Sequence, residues 1–140
     1  LFRSSGILGI TALKLGAKEV WGTDLDENAI TAVGENLEAN GISGERFHVL
    51  QGNILNDPSV QEWAGFGCYD VVVANILADV IILLVDEIPV HLKKGGLFIT
   101  SGIINMKEQA VLDAFAKNPA FEVLEVTRQG EWVSVTARKR

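Results

Sequence analysis

Runs typical of β-strands alternate with runs of helical spacing, and this order restricts the possible fold more than any other feature. The strand-like runs are KEVWGTD, RFHVLQG, YDVVVANI and KKGGLFITSGI, and apolar residues at three- and four-residue spacing lie between them. Parallel strands need a crossover, which is usually a helix. The sequence therefore predicts an α/β fold with a doubly wound, mostly parallel sheet. The last runs, FEVLEV and WVSVTARK, predict a C-terminal antiparallel hairpin.

Local signals predict where several elements end and which faces they bury. A helix over residues 7–15 is expected to end at Gly16, and Asp26 is expected to cap the next helix. The unbroken apolar run of YDVVVANI predicts a strand buried on both faces. Cys68, the single cysteine, is expected to be a small buried side chain. The predicted buried helix faces are Ile30, Val33 and Leu37, then Ile81, Leu84, Val85 and Ile88, then Val111, Ala114 and Phe115.

Length and composition argue against several classes of protein. A chain of 140 residues without linker or repeat predicts one domain over residues 1–140. The formal net charge of −6 argues against direct nucleic-acid binding, which needs clustered cations. No apolar run reaches the ~20 residues of a membrane span. With one cysteine and no metal-ligand spacing, neither a disulfide nor a metal site is expected, and a cytoplasmic protein is predicted.

The first candidate ligand-binding residues lie at a helix start and at a strand end, as open α/β sheets favour. Ser5 and Gly6 precede the opening helix, whose free N–H groups suit a carboxylate or phosphate. Gly6 alternatively serves only to ease helix packing. Asp24 ends its predicted strand 18 residues after Gly6, where a carboxylate accepts hydrogen bonds from both ribose hydroxyls of a nucleotide.

Two further candidates follow the next strands. The side chain of Asn53 can meet an adenine amino group while Ile54 covers the ring face, although turns favour Gly-Asn in any case. Asn75 ends the strand expected to be deeply buried, where an unpartnered amide costs about 1–3 kcal/mol. We therefore interpret Asn75 as functional, with its oxygen accepting a hydrogen bond from a substrate amine.

Three passages together resemble the class I S-adenosylmethionine-dependent methyltransferases: SGILGITALKLGAKEVWGTDLDENAI, VVVANILADVIILL, and LKKGGLFITSGI with the later GEWVSVTARK. Among these enzymes the chain resembles the catalytic domain of the ribosomal protein L-eleven methyltransferase family. The Asn-Ile-Leu-Ala form of residues 75–78 is fairly specific, because related amino and nucleobase methylases usually show Asn-Pro-Pro-Tyr or Asp-Pro-Pro-Tyr there.

The resemblance implies a Rossmann-like methyltransferase fold, S-adenosylmethionine as cofactor, and a large-subunit ribosomal protein as substrate. That protein is methylated on its N-terminal amine and on lysine side chains. The implied roles of the candidate residues are Ser5 and Gly6 at the methionine end of the cofactor, Asp24 at the ribose, Asn53 and Ile54 at the adenine, and Asn75 between cofactor and substrate amine.

The start of the chain departs from the family pattern Asp-x-Gly-x-Gly-Ser-Gly. Ser5 and Gly6 match its last two positions, whereas Ser4 and Phe2 stand where the earlier glycines belong. Phenylalanine does not replace a glycine at positive φ without strain. The resemblance therefore implies a chain truncated or altered at its start, with the first strand largely missing and the substrate-recognition domain absent.

Other functions remain open from sequence alone. One is a methyltransferase acting on another protein or on RNA. Another is a fragment of a nicotinamide-dependent oxidoreductase, in which Asp24 serves equally well. A third is a catalytically impaired remnant of a methyltransferase. The oligomeric state is left open.

Overall fold

The computed structural model describes residues 7–140, and for residues 7 and 8 it describes the backbone only. The chain divides into two compact units, a first unit that ends at Ala64 and a second unit over Gly65–Arg140. The prediction of a single domain over residues 1–140 stays a prediction. The expected missing first strand and altered start lie outside the described residues.

The first unit is built on one pair of parallel strands. Its elements are α1 (Ile7–Lys14), β1 (Val20–Asp24), α2 (Glu27–Ala39), β2 (Phe47–Gln51) and α3 (Pro58–Ala64). β1 and β2 run parallel, with Val20 opposite Phe47 and Asp24 opposite Gln51. α2 makes the crossover that this parallel connection needs. Both strands therefore end at the same edge of the sheet.

The ends of the first helices agree with the sequence signals. Gly16 has φ +112°, and the N–H of Ala17 donates to the carbonyl of Ala12 at 2.9 Å, as in a glycine-terminated helix. Asp26 caps α2 by accepting a hydrogen bond from the N–H of Asn28 at 2.9 Å. The predictions for Gly16 and Asp26 are confirmed.

Apolar burial holds α1 and α2 against the two strands. The buried cluster of this unit is Ile10, Leu13, Val33, Leu37 and Phe47. Full burial of each such side chain contributes about 1.5–3 kcal/mol. On α2 the predicted Val33 and Leu37 are buried, but Ala29 takes the place expected for Ile30, which is half-buried. The helix is therefore rotated slightly from the predicted face.

The second unit carries a mixed four-stranded sheet. Its elements are β3 (Tyr69–Asn75), α4 (Ala78–Glu87), a 3-10 turn (Ile88–Val90), β4 (Leu92–Ile104), a 3-10 turn (Asn105–Lys107), α5 (Glu108–Lys117), β5 (Phe121–Gln129) and β6 (Trp132–Lys139). The strand order is β3-β4-β6-β5. β3 and β4 are parallel, and β6 runs antiparallel to β4 and β5. The predicted α/β class and its C-terminal antiparallel hairpin are confirmed.

Helices α4 and α5 supply the core of the second unit. All four residues of the predicted α4 stripe, residues 81, 84, 85 and 88, are at most 2% exposed. On α5, Val111 and Phe115 are buried as predicted, and Ala114 is half-buried. The Phe115 ring lies 6.0 Å from Phe98 of β4 and 5.4 Å from Phe121 of β5. This aromatic group joins α5 to the sheet.

Two burial predictions are wrong. β3 is not buried on both faces, because Val71 is 45% exposed. Within residues 7–140 β3 has one strand neighbour, β4, so it lies at the edge of its sheet. Cys68 is exposed rather than buried, since it lies in the turn that precedes β3.

Across residues 7–140, none of the helices has the length and apolar character needed to cross a membrane.

Two buried threonines give a stability prediction. Thr23 is 5% exposed, and its hydroxyl has no hydrogen-bond partner among the described residues. Thr100 is fully buried, and its hydroxyl donates to the carbonyl of Val135 at 2.8 Å. Thr23→Val is expected to raise the free energy of unfolding by about 1 kcal/mol, because it removes an unpaired buried hydroxyl. Thr100→Val is expected to lower it by about 1 kcal/mol.

Urea denaturation of both variants measures these changes. An equal loss of stability in the two variants would contradict the assignment of Thr23 as unpaired.

Candidate functional site

The first unit brings Asp24 close to the segment that contains Asn53. β1 and β2 end side by side, and the N–H of Gly52 donates to the carbonyl of Asp24 at 2.9 Å. The side-chain amide of Gln51 donates to the carbonyl of Leu25 at 3.3 Å. Two of the predicted site segments are therefore tied together at the carboxyl edge of this strand pair, where α/β proteins bind ligands.

The Asp24 carboxylate has a fixed orientation. Its Oδ1 atom accepts a hydrogen bond from the N–H of Asp26 at 2.9 Å. Within residues 7–140, no donor is bonded to its second oxygen, and the residue is half-buried. A carboxylate held by one oxygen and open at the other can accept hydrogen bonds from a ligand hydroxyl.

The segment after β2 is held by its own hydrogen bonds. Oδ1 of Asn53 accepts from the N–H of Leu55, and the Asn53 carbonyl accepts from the N–H of Asp57, both at 3.0 Å. Ile54 is 6% exposed, and its carbonyl accepts from the Gln61 side chain at 2.8 Å. Asn53 keeps its amide N–H groups for another partner, whereas the Ile54 side chain is already packed. Adenine contacts by these two residues stay predictions.

Asn75 ends β3 in the second unit. It lies opposite Ser101 of β4, and its side chain is exposed. The interpretation that Asn75 is an amide stranded in a buried strand is therefore wrong, because water reaches it. Because the amide is exposed, it can still meet a ligand, and its role at a substrate amine stays a prediction.

The remaining candidates are placed differently. Ser5 and Gly6 lie outside the described residues. Asp24, Asn53 and Ile54 belong to the first unit, and Asn75 to the second. That these residues line one cofactor pocket stays a prediction.

Sequence reasoning missed Gly102, which the second unit places beside Asn75. Gly102 has φ +76° and lies within β4, where a glycine inside a strand pattern signals a bulge or a close approach. The TSGI stretch carried that signal.

Leu25 and Leu77 were also missed. They directly follow Asp24 and Ile76 and are 67% and 63% exposed, so apolar surface flanks two of the strand ends.

The histidines have structural contacts. His91 is 3% exposed, its Nδ1 lies 2.6 Å from the Gly65 carbonyl oxygen, and its Nε2 lies 2.9 Å from a Glu87 carboxylate oxygen. His48 stacks on Trp21 with ring centroids 4.2 Å apart. In the part of the chain from Ile7 onward, no group of three or more His, Cys, Asp or Glu is arranged to hold a metal ion.

Comparison with known proteins identifies the family. The family model described as "Ribosomal protein L11 methyltransferase (PrmA)" matches residues 4–140. The chain belongs to the ribosomal protein L11 methyltransferase family. The resemblance read from the three sequence passages is confirmed.

Members and structural neighbours of the L11 methyltransferase family agree with this assignment. A ribosomal protein L11 methyltransferase from Lachnospira eligens is 52% identical over 136 residues, which cover 97% of this chain and 43% of the relative. The crystal structure of the ribosomal protein L11 methylase from Lactobacillus delbrueckii subsp. bulgaricus has a TM-score of 0.84 and 35% identity, over 97% of this chain and 66% of that one.

A structure with much lower sequence identity is informative about the fold only. A geranyl diphosphate methyltransferase in complex with SAM has a TM-score of 0.76 at 14% identity, covering 98% of this chain and 75% of that one. The predicted Rossmann-like methyltransferase fold is confirmed. The chain spans about two fifths of the length of the curated relatives it matches, 43% and 42% for two of them.

Proposed function

We propose that this chain transfers methyl groups from S-adenosylmethionine to amines of ribosomal protein L11, on the N-terminal amine and on lysine side chains. The observation that carries the proposal is the family match over residues 4–140, with 52% identity to a relative of that name. A net charge of −6 supports a protein substrate over a nucleic acid. A ribosomal-protein substrate would place the reaction in the cytoplasm.

The donor set of the first unit fits an adenosine. The open oxygen of Asp24 offers an acceptor for ribose hydroxyls. The oxygen of Asn53, the acceptor that an adenine amino group needs, already accepts from Leu55, so its free amide hydrogens, which can donate to a ring nitrogen, are the groups that would meet the adenine. When bound, the cofactor supplies an activated methyl group on a positively charged sulfur. These two residues would hold it and orient it from the carboxyl edge of β1 and β2.

Asn75 would act on the substrate amine. Its amide oxygen accepts a hydrogen bond from the amine N–H, which turns the nitrogen lone pair toward the methyl carbon. The amine must be neutral, since a protonated nitrogen has no lone pair to attack with. With the cofactor bound, the C–N bond would form as the C–S bond breaks, S-adenosylhomocysteine would be released, and the methylated ammonium would lose its proton to water. Holding the amine and the methyl donor together in a reactive geometry provides up to ~7–11 kcal/mol in favourable cases, and Asn75 would contribute one orienting hydrogen bond to it.

Binding of S-adenosylhomocysteine tests the role of Asp24. Asp24→Asn is expected to weaken binding about tenfold, because a hydrogen bond to a charged acceptor is replaced by one to a neutral oxygen. Asp26→Asn is the matched control. Asparagine caps a helix as well as aspartate does, so its affinity should equal that of the unaltered protein. Isothermal calorimetry measures both affinities.

The same titration separates the rival functions. Binding of NADH in place of S-adenosylhomocysteine would favour an oxidoreductase. If neither ligand binds, the chain is an impaired remnant and the proposal is wrong for this chain. Equal weakening by Asp24→Asn and Asp26→Asn would remove the specific role of Asp24.

Asn75→Ala is expected to lower the rate of methyl transfer to ribosomal protein L11 about 10²-fold, the usual size for loss of one oriented polar group in an active site. Transfer of a radiolabelled methyl group measures the rate. Asn105→Ala, which alters another exposed asparagine of the second unit, is expected to keep the full rate. An unchanged rate in Asn75→Ala would remove Asn75 from the mechanism.

The rate is also expected to rise with pH. An α-amine has a pKa of about 7.7–8.0 and a lysine side chain about 10.4, so the reactive neutral fraction grows tenfold per pH unit below these values. Methylation of the N-terminal amine should level off above about pH 8, while lysine methylation keeps rising. Mass spectrometry of peptides from reactions between pH 6.5 and 9.5 resolves the two. Two flat profiles would show that deprotonation of the amine does not limit the reaction.

A further inference from the structure

Strand β4 contains a bulge just beyond the point where β3 ends. On the β6 side, Thr100 pairs with Val135 and Ile103 pairs with Val133. β4 therefore has two residues, Ser101 and Gly102, where β6 has one. Such a bulge bends the strand and redirects the side chains near it. On its other side β4 pairs with β3, and Ser101 lies opposite Asn75.

The bulge brings the backbone of Gly102 against the side chain of Asn75. A β-carbon placed on Gly102 would lie 2.5 Å from Oδ1 of Asn75. Close carbon–oxygen contacts in proteins fall at 3.3–3.6 Å, so a methyl group fits at this position only if the Asn75 side chain moves. The next atoms are the oxygen and nitrogen of Ile76, at 3.4 and 3.5 Å, which is ordinary contact. The Asn75 side chain, and not the backbone of β3, is therefore what a side chain at 102 would displace.

The Asn75 amide oxygen lies beside the backbone of Gly102 in the second unit. Among the described residues, no hydrogen bond holds the Asn75 side chain, and it is exposed on its other side. A side chain in that position turns freely unless a neighbour limits it. In this structure the Asn75 oxygen occupies the space that a side chain at position 102 would fill.

We propose that Gly102 is a positioning residue, which by lacking a side chain lets the Asn75 amide lie where it meets the substrate amine. The inference rests on the proposed function for its catalytic consequence, but the contact itself does not depend on it. Residue size at position 102 would then decide whether the amide oxygen points at the amine or is turned away.

Gly102→Ala tests the proposal, with Gly95→Ala as its matched control. Gly95 lies on the same strand with φ +83°, and a β-carbon there would meet nothing within 4 Å. Alanine in the left-handed region strains the backbone at both positions. Only Gly102→Ala adds a collision with Asn75. The comparison therefore separates displacement of the amide from backbone strain.

Two readouts are measured on the full chain. In ¹H–¹⁵N NMR spectra, the side-chain amide signals of Asn75, identified by their loss in Asn75→Ala, are expected to shift in Gly102→Ala and to stay in place in Gly95→Ala. For methyl transfer, Gly102→Ala is expected to lower kcat about 10²-fold, as a misplacement of about 1 Å does. KM for S-adenosylmethionine should change less than twofold. Gly95→Ala should keep both values.

Combination with Asn75→Ala gives the decisive comparison. That variant lacks the colliding oxygen, so adding Gly102→Ala to it is expected to lower kcat no further. If Gly102→Ala alone does not fold, the double variant is still expected to fold, and failure of both would overturn the proposal. Equal kcat losses in Gly102→Ala and Gly95→Ala would overturn it too, as would unmoved Asn75 signals.

Failure of the proposed function has a different signature. If the unaltered chain transfers no methyl group, the function is wrong, and the NMR comparison alone decides whether Gly102 positions Asn75.

Discussion

Parallel pairing of neighbouring strands is the constraint on which the candidate site depends. A parallel connection has to return along the outside of the sheet, and α2 does this between β1 and β2, as α4 does between β3 and β4. Every strand of such a pair ends at the same edge. Asp24 and Asn75 are the last residues of β1 and β3, and the turn that holds Asn53 follows β2. In each unit, the parallel connection therefore brings the candidate residues to the carboxyl edge of its own strand pair.

The features predicted best from the sequence are those that depend on residues close together along the chain. The glycine end of α1 at Gly16, the cap at Asp26 and the apolar stripe of α4 depend on spacing and on local hydrogen bonds, and all three were found where they were expected. Burial was harder. Val71 and Cys68 are apolar or small, yet both are exposed, because burial depends on which elements pack beside a segment. Residue type alone does not carry that information.

The predictions for the candidate site show the same difference between local and long-range features. Asp24 and Asn53 could be proposed because polar residues after buried strands are conspicuous in a sequence. Asn75 ends β3 as expected, but the reason given for a functional role was wrong, since the side chain is exposed, and the role itself stays a prediction. Gly102 was not found, because the role proposed for it rests on a bulge and on its closeness to a residue 27 positions earlier, Asn75. A single glycine in a strand-like run does not indicate which residue packs against it.

The turn after β1 has a consequence for the order in which the protein takes shape. The side chain of Asp24 is fixed by the N–H of Asp26, whose own carboxylate is fixed by the N–H of Asn28. Each link closes a loop of only two residues, so little chain entropy is lost in making it. Contacts of such short range form early and rapidly. The Asp24 carboxylate can thus acquire its geometry before contacts between distant parts of the chain have formed.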